Sequence, residues 1–208
     1  MSRKPIDAVL LDLDETLYSR EDAFWRWIAT EGRTTGRSAD SAKIATLDQR
    51  GRGDKRALLD YLDAAFGWQH EETRRSERFR LGIAAACQMT PGARDSLIRI
   101  GKRYRLGLVT NGSGETQRAK LTALELTGLF EPLLISGEVG FKKPDPRIFE
   151  LALAAWEVAP ESVLFVGDDP VSDIAGAKAV GMQTLQVGSE DGISSISMLE
   201  AWLETTFA

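Results

Sequence analysis

The chain has 208 residues, 43% hydrophobic and 27% charged, enough for one substantial core and a second, smaller unit. Its 31 acidic residues outnumber its 26 basic ones, which gives no electrostatic reason to expect nucleic acid or an anionic membrane as partner. A single Cys, Cys87, and a single His, His70, exclude an internal disulfide and a usual structural zinc site, and no apolar stretch is long enough for a membrane span.

The opening MSRKPIDAVLLDLD carries Arg3 and Lys4, but Asp12 cuts its apolar run too early for a signal peptide, so a cytoplasmic protein is expected. Ala8, Val9, Leu10, Leu11 and Leu13 read as a strand covered on both faces. It ends in acid: Asp12 and Asp14 stand two residues apart where such strands deliver ligand-binding groups. Two carboxylates there are costly to desolvate without a cation or hydrogen bonds, so a bound metal, a reactive carboxylate, or both are expected.

Residues 17–90 have a helical character. Ala23, Phe24, Trp27 and Ile28 form one apolar stripe, and Leu58, Leu59, Leu62, Ala65 and Phe66 another, capped by Asp54 and stopped by Gly67. Arg52-Gly53-Asp54 is simply a turn into that cap, and a third helix is expected over 71–88. HEETRRSERFR reads as its solvated face, His70 as a solvated side chain and Cys87 as packed in the helix. Thr90, Pro91 and Gly92 then lead back to the first unit.

Strands follow at 105–110, 132–136, 163–167 and 182–188. Helices alternate with them at 115–127, 146–156, 173–180 and 195–203, the pattern of parallel βαβ units. The expectation is an α/β protein whose core, 1–16 with 91–208, carries a helical insert at 17–90.

Just past four of these strands lie Asp12-x-Asp14-x-Thr16, Thr110-Asn111-Gly112, Lys143-Pro144 and Gly167-Asp168-x-x-x-x-Asp173. An EF-hand loop is ruled out by Leu17 and Ala23 where Gly and Glu are needed, and both common glycine-rich nucleotide cradles are absent. Singly, each motif has a plain alternative: a turn glycine, Asp173 as a helix cap, Thr110 and Asn111 as a capping pair. Together, and with VTNGSGETQRAKL, SGEVGFKKPDPRIF and VGDDPVSDIAGAKAVGM, they resemble the haloacid dehalogenase superfamily of phosphohydrolases, in the branch whose helical cap follows the first motif.

That resemblance implies a Rossmann-like sheet ordered 5-4-1-2-3, with the strands ending in Asp12 and Asp168 side by side. It implies an Mg²⁺-dependent phosphomonoester hydrolase acting on a small phosphorylated metabolite through an aspartyl-phosphate. Asp12 matches the nucleophile and Asp14 the general acid and base, a double role that asks for a pKa near the working pH. Asp12, the carbonyl of Asp14, and Asp168 match the Mg²⁺ ligands, and Asp173 an acid holding a metal-bound water. Thr110 and Asn111 match donors to the phosphoryl oxygens, and Lys143, rather than its neighbour Lys142, the cation that neutralises them. Asp169 reads as a loop acid.

Alternatives within the superfamily are a phosphomutase of the β-phosphoglucomutase type and a metal-independent 2-haloacid dehalogenase, the latter opposed by Asp14. A non-catalytic binding protein is opposed by the complete set of chemical positions. Tyr18, Trp25, Trp27, Arg52 and Arg56 are candidates for the insert's substrate-reading side, and a monomer or homodimer is expected.

Overall fold

Residues 4–69 and 71–207 are described by a computed structural model of the chain; the readings of Arg3 and His70 lie outside the described residues. Five parallel strands, β1 (Ala8–Leu11), β2 (Arg105–Thr110), β3 (Leu133–Ile135), β4 (Val163–Gly167) and β5 (Gln183–Gln186), form one sheet in the order β3-β2-β1-β4-β5. This is the expected 5-4-1-2-3 order. All four residues of β1 are buried, as a central strand covered on both faces must be.

Leu10 pairs with Gly107 of β2 and Phe165 of β4, and this face of the sheet packs against α8 (Pro146–Trp156) through Ile148, Phe149, Ala152 and Trp156. A Cβ at Gly107 would stand 2.8 Å from both Leu10 and the Trp156 ring, so glycine there lets the indole reach the sheet. Trp156 Nε1 donates to Glu131 O at 2.7 Å, which satisfies its polar atom at the rim. Asp145 caps α8 by accepting from Arg147 N, with Pro146 at the first helical position.

Contacts divide the chain into two units, Met1–Ser19 with Gln88–Ala208, and Arg20–Cys87. From the sequence, the edges of the insert fall at 17 and 90. Leu17 and Tyr18 are buried in the first unit, and Thr90 N donates to Leu17 O at 3.0 Å within it.

In the second unit, α1 (Arg20–Thr35), α2 (Ser41–Asp48), α3 (Lys55–Phe66) and α4 (Glu72–Ala86) pack on one another. Asp54 accepts from Arg56 N and Ala57 N, and Gly67 ends α3 in the left-handed region, both as expected. Trp27 is buried edge-on against Phe79 and beside Trp68, so it belongs to this unit's core and cannot face a substrate. The basic run on α4 is also not a simple solvated face: Arg75 reaches Asp60 on α3, and Arg78 reaches buried Glu31 on α1.

Two further helices of the first unit complete the site's frame, α5 (Ala93–Ile100) and α6 (Gly114–Ala123), the latter ending before the 127 expected. A short helix α7 (Ser136–Val139) follows β3. The helix expected at 173–180 is a π-type turn over Pro170–Ala175 running into α9 (Gly176–Ala179). Asp169 forces that start by accepting from both Val171 N and Ser172 N, the capping role of a loop acid. The last expected helix begins as a 3₁₀ turn and becomes α10 (Leu199–Thr206), which packs on α5.

Candidate active site

The ends of β1 and β4 are neighbours, so Asp12 and Asp168 meet, and the π-type turn returns Asp173 beside them. One carboxylate oxygen from each of the three lies within 4.8 Å of the others. Glycine at position 167 permits this, because a Cβ there would stand 2.3 Å from Asp173 Oδ2. Past β1 the chain turns through Glu15 in the left-handed region (φ 58°), an uncommon conformation for a side chain-bearing residue. Thr16 Oγ1 is buried 3.4 Å from Asp12 Oδ2.

Lys143 is buried at the centre of this group. Its Nζ lies 2.6 Å from Asp12 Oδ1 and 2.7 Å from Asp173 Oδ1, and it faces the Phe165 ring. The second contact is ionic but not aligned as a hydrogen bond, so Asp173 Oδ1 is a buried acceptor with no aligned donor. Lys142 is exposed, as the choice between the two lysines requires. Asn111 fixes the loop from the other side: its Nδ2 donates to Lys143 O (3.0 Å) and its Oδ1 accepts from Lys143 N (2.9 Å). The Asn111 side chain therefore holds the loop of Lys143, with one N–H of its amide used in doing so.

Burial pushes the Asp12 carboxyl up to about 8, with Asp173 and Asp14 adding to the rise and Lys143 opposing it. Asp168 is raised to about 6, by burial first and then by Asp173 and Glu15. Burial disfavours the Lys143 cation, but Asp12 and Asp173 outweigh it and hold the ammonium protonated above its ordinary range. The residues fit a hard divalent cation: three converging carboxylates, with no nitrogen or sulfur donor among them. Asp173 stands with Asp12 and Asp168 as a potential ligand. The Asp14 side chain lies outside this trio.

Asp14 is instead gripped by three side chains. Lys120 Nζ donates to its Oδ1 at 2.6 Å, Tyr18 OH donates to the same oxygen, and Gln117 Nε2 donates to its Oδ2 at 2.7 Å. Burial raises its pKa, but the Lys120 charge and these hydrogen bonds outweigh it and hold the carboxyl below its ordinary value. This corrects the expectation of a pKa near the working pH. It also corrects Tyr18, which is 1% exposed and serves Asp14 inside the first unit.

Gln117 Nε2 also donates to Thr110 Oγ1 at 2.6 Å. The reverse orientation of the amide would face its oxygen to a carboxylate, so the nitrogen must point this way, giving up both protons. Thr110 Oγ1 thus accepts, and its own proton is free to donate elsewhere. Gln117 and Lys120 are the residues that sequence reasoning passed over. Three residues apart on α6, both are buried, a feature that their polar sequence context does not announce.

The family model for haloacid dehalogenase-like hydrolases matches residues 6–181. A glyceraldehyde 3-phosphate phosphatase from Pyrococcus furiosus is 48% identical over 46% of this chain and 40% of its own length, so the chain spans less than half of that relative. A ribulose-1,5-bisphosphate 5-phosphatase from Halopiger xanaduensis is 30% identical over 86% of this chain and 83% of its own length. The magnesium-bound crystal structure of YfnB from Bacillus subtilis shares the fold, with a TM-score of 0.78 and 20% identity over 96% of this chain and 99% of that one. By the extent of the family match and the shared sheet, the chain belongs to the haloacid dehalogenase-like hydrolases.

Proposed function

We propose that the chain is a phosphomonoester hydrolase acting on a small phosphorylated metabolite through an aspartyl-phosphate on Asp12. The observation that carries this reading is the buried Asp12 carboxylate at the end of β1, with Lys143 Nζ 2.6 Å away and Asp168 and Asp173 beside it. Asp12, Asp168, Asp173 and the main-chain carbonyl of Asp14 are the groups that would hold Mg²⁺. Bound there, the cation offsets the repulsion between the carboxylates and a phosphate dianion.

Asp12 attacks phosphorus and the bond to the leaving oxygen breaks; Asp14 gives that oxygen a proton from its protonated form, a minority population because Lys120 favours the carboxylate. Water then attacks the same phosphorus and gives a proton to Asp14. The bond to Asp12 breaks and inorganic phosphate leaves. The ionised Asp14 that Lys120 favours is the form this second step needs. Thr110, whose hydroxyl proton is free, and the Asn111 main-chain N–H donate to the phosphoryl oxygens while Lys143 neutralises them.

Asp12→Asn keeps the side-chain volume and is expected to stay folded while losing nearly all phosphate release with Mg²⁺. Mass spectrometry of acid-quenched wild-type enzyme should find a phosphoryl group on the peptide that carries Asp12. Wild-type turnover in the variant, or an unmodified peptide during turnover, rejects the reading. EDTA should abolish turnover, Mg²⁺ restore it and Ca²⁺ inhibit, because Ca²⁺ takes a larger, looser shell. The names of the relatives suggest that a substrate panel begin with glyceraldehyde 3-phosphate and ribulose 1,5-bisphosphate.

A further inference from the structure

Gln117 and Lys120 stand on the same face of α6, one turn apart, and are 1% and 6% exposed. A Lys and a Gln are seldom buried unless paired, and here both pair with one carboxylate. Lys120 Nζ takes Asp14 Oδ1 at 2.6 Å, Gln117 Nε2 takes Oδ2 at 2.7 Å, and Tyr18 OH adds a second donor to Oδ1. Both oxygens of Asp14 are thereby fixed, and its side chain is left with little rotamer freedom. The side-chain hydrogen bonds of both α6 residues go to Asp14 and Thr110, outside the trio of Asp12, Asp168 and Asp173.

We propose that Lys120 and Gln117 are positioning residues that hold the Asp14 carboxylate where it takes the proton of the water that hydrolyses the aspartyl-phosphate. This rests on the reading of Asp14 as the base of the second step. A base acts only within hydrogen-bond reach of its proton, so a carboxylate free to swing spends less time in the productive place. The first step on a substrate with a good leaving group needs no help from Asp14. Loosening Asp14 should therefore slow breakdown of the intermediate and leave its formation alone.

The test uses full-length enzyme with Mg²⁺ and p-nitrophenyl phosphate. In Lys120→Met, kcat should fall about tenfold or more, part of the roughly 10²–10⁴-fold that a general base contributes. KM should fall with it, so that kcat/KM, which reports steps up to formation of the intermediate, stays near wild type. Stopped-flow should show a burst of p-nitrophenolate approaching one equivalent per site. Loss of kcat/KM without a burst, or unchanged kcat, overturns the proposal, since a merely structural role gives one of these. Gln117→Met, which keeps an unbranched chain of similar length, is judged by the burst alone and decides the matter should Lys120→Met not fold. Asp14→Asn is run alongside. If it gives no burst, the reading of Asp14 has failed; if it bursts while the α6 variants do not, only the positioning role has.

Discussion

Single atoms decide whether this site can exist. Gly167 has no Cβ, and the atom it lacks would fall 2.3 Å from Asp173 Oδ2. Gly167→Ala is expected to lower stability by about 1–3 kcal/mol through overpacking. It should also displace Asp173 and raise the Mg²⁺ concentration needed for half-maximal phosphate release, measured by titration with denaturation curves alongside. An unchanged Mg²⁺ requirement would separate Asp173 from cation binding. Ionisation of the same group gives a second expectation. Asp12 at about 8 and Asp168 at about 6 both lie above the ordinary 3.8, so the folded chain holds their protons more tightly than the unfolded chain. Their contribution to stability is full below that ordinary value and lost as pH rises through about 6 and then about 8. Asp14, lowered in the fold, has the opposite sign and stabilises only above the ordinary value. A cation bound to Asp12 and Asp168 favours their ionised forms, so the gain in Tm on adding Mg²⁺ should be larger near pH 8 than near pH 5. A gain that shrinks with rising pH contradicts a site made of these carboxylates.

Among elements, α1, the chain just after α3, and α4 are tied by a buried acid, Glu31. Glu31 of α1 accepts from Trp27 Nε1 (3.1 Å), from Trp68 Nε1 beyond α3 (3.0 Å) and from Arg78 of α4 (2.7 Å). Glu31→Ala leaves a guanidinium and two indole N–H groups without their acceptor. It should destabilise this unit by about 3–5 kcal/mol, read as an earlier loss of near-ultraviolet signal from the tryptophans in urea. A shift below about 1 kcal/mol would show that water replaces the carboxylate. The strands, and helices such as α8, are legible in the sequence because each apolar run stops at a polar residue or a cap, as β1 does at Asp12. Short helices are less so: α2 buries one apolar side chain, Ile44, and α5 fills the gap between a Pro-Gly turn and β2. The roles of Gln117 and Lys120 could not be read locally, because the carboxylate that buries them lies 103 and 106 positions away in the chain. The low pKa of Asp14 was hidden for the same reason. Asp12 and Asp168 could be anticipated together because each sits just beyond a strand of a parallel sheet, where such sheets gather their ligands, with Asp173 on the turn that follows β4 and Lys143 on the loop that follows α7.

At the scale of the whole molecule, an insert interrupts the sheet unit at a point that already closes on itself. Leu17 O accepts from Thr90 N at 3.0 Å inside the first unit, so the two chain ends left by removing Arg20–Cys87 are held near one another. The sheet, α8 and the α5–α10 pair all belong to that unit, which therefore keeps a complete layered core without the insert. Replacing 20–87 by a short Gly/Ser linker should leave a folded protein that still hydrolyses p-nitrophenyl phosphate, since the proposed nucleophile, cation ligands and base are all in the first unit. Discrimination among natural phosphate esters should fall much further. A lid that closes over a site supplies water exclusion and leaving-group contacts, and both matter most for poor leaving groups. The measurement is the spread of kcat/KM across a panel of sugar, nucleoside and amino-acid phosphates in the two proteins. A narrowed spread with retained p-nitrophenyl phosphate turnover assigns specificity to Arg20–Cys87. An unchanged spread in a folded variant returns specificity to the loops after β2 and β3, where Gly112 N and Ser136 Oγ already meet at 2.9 Å.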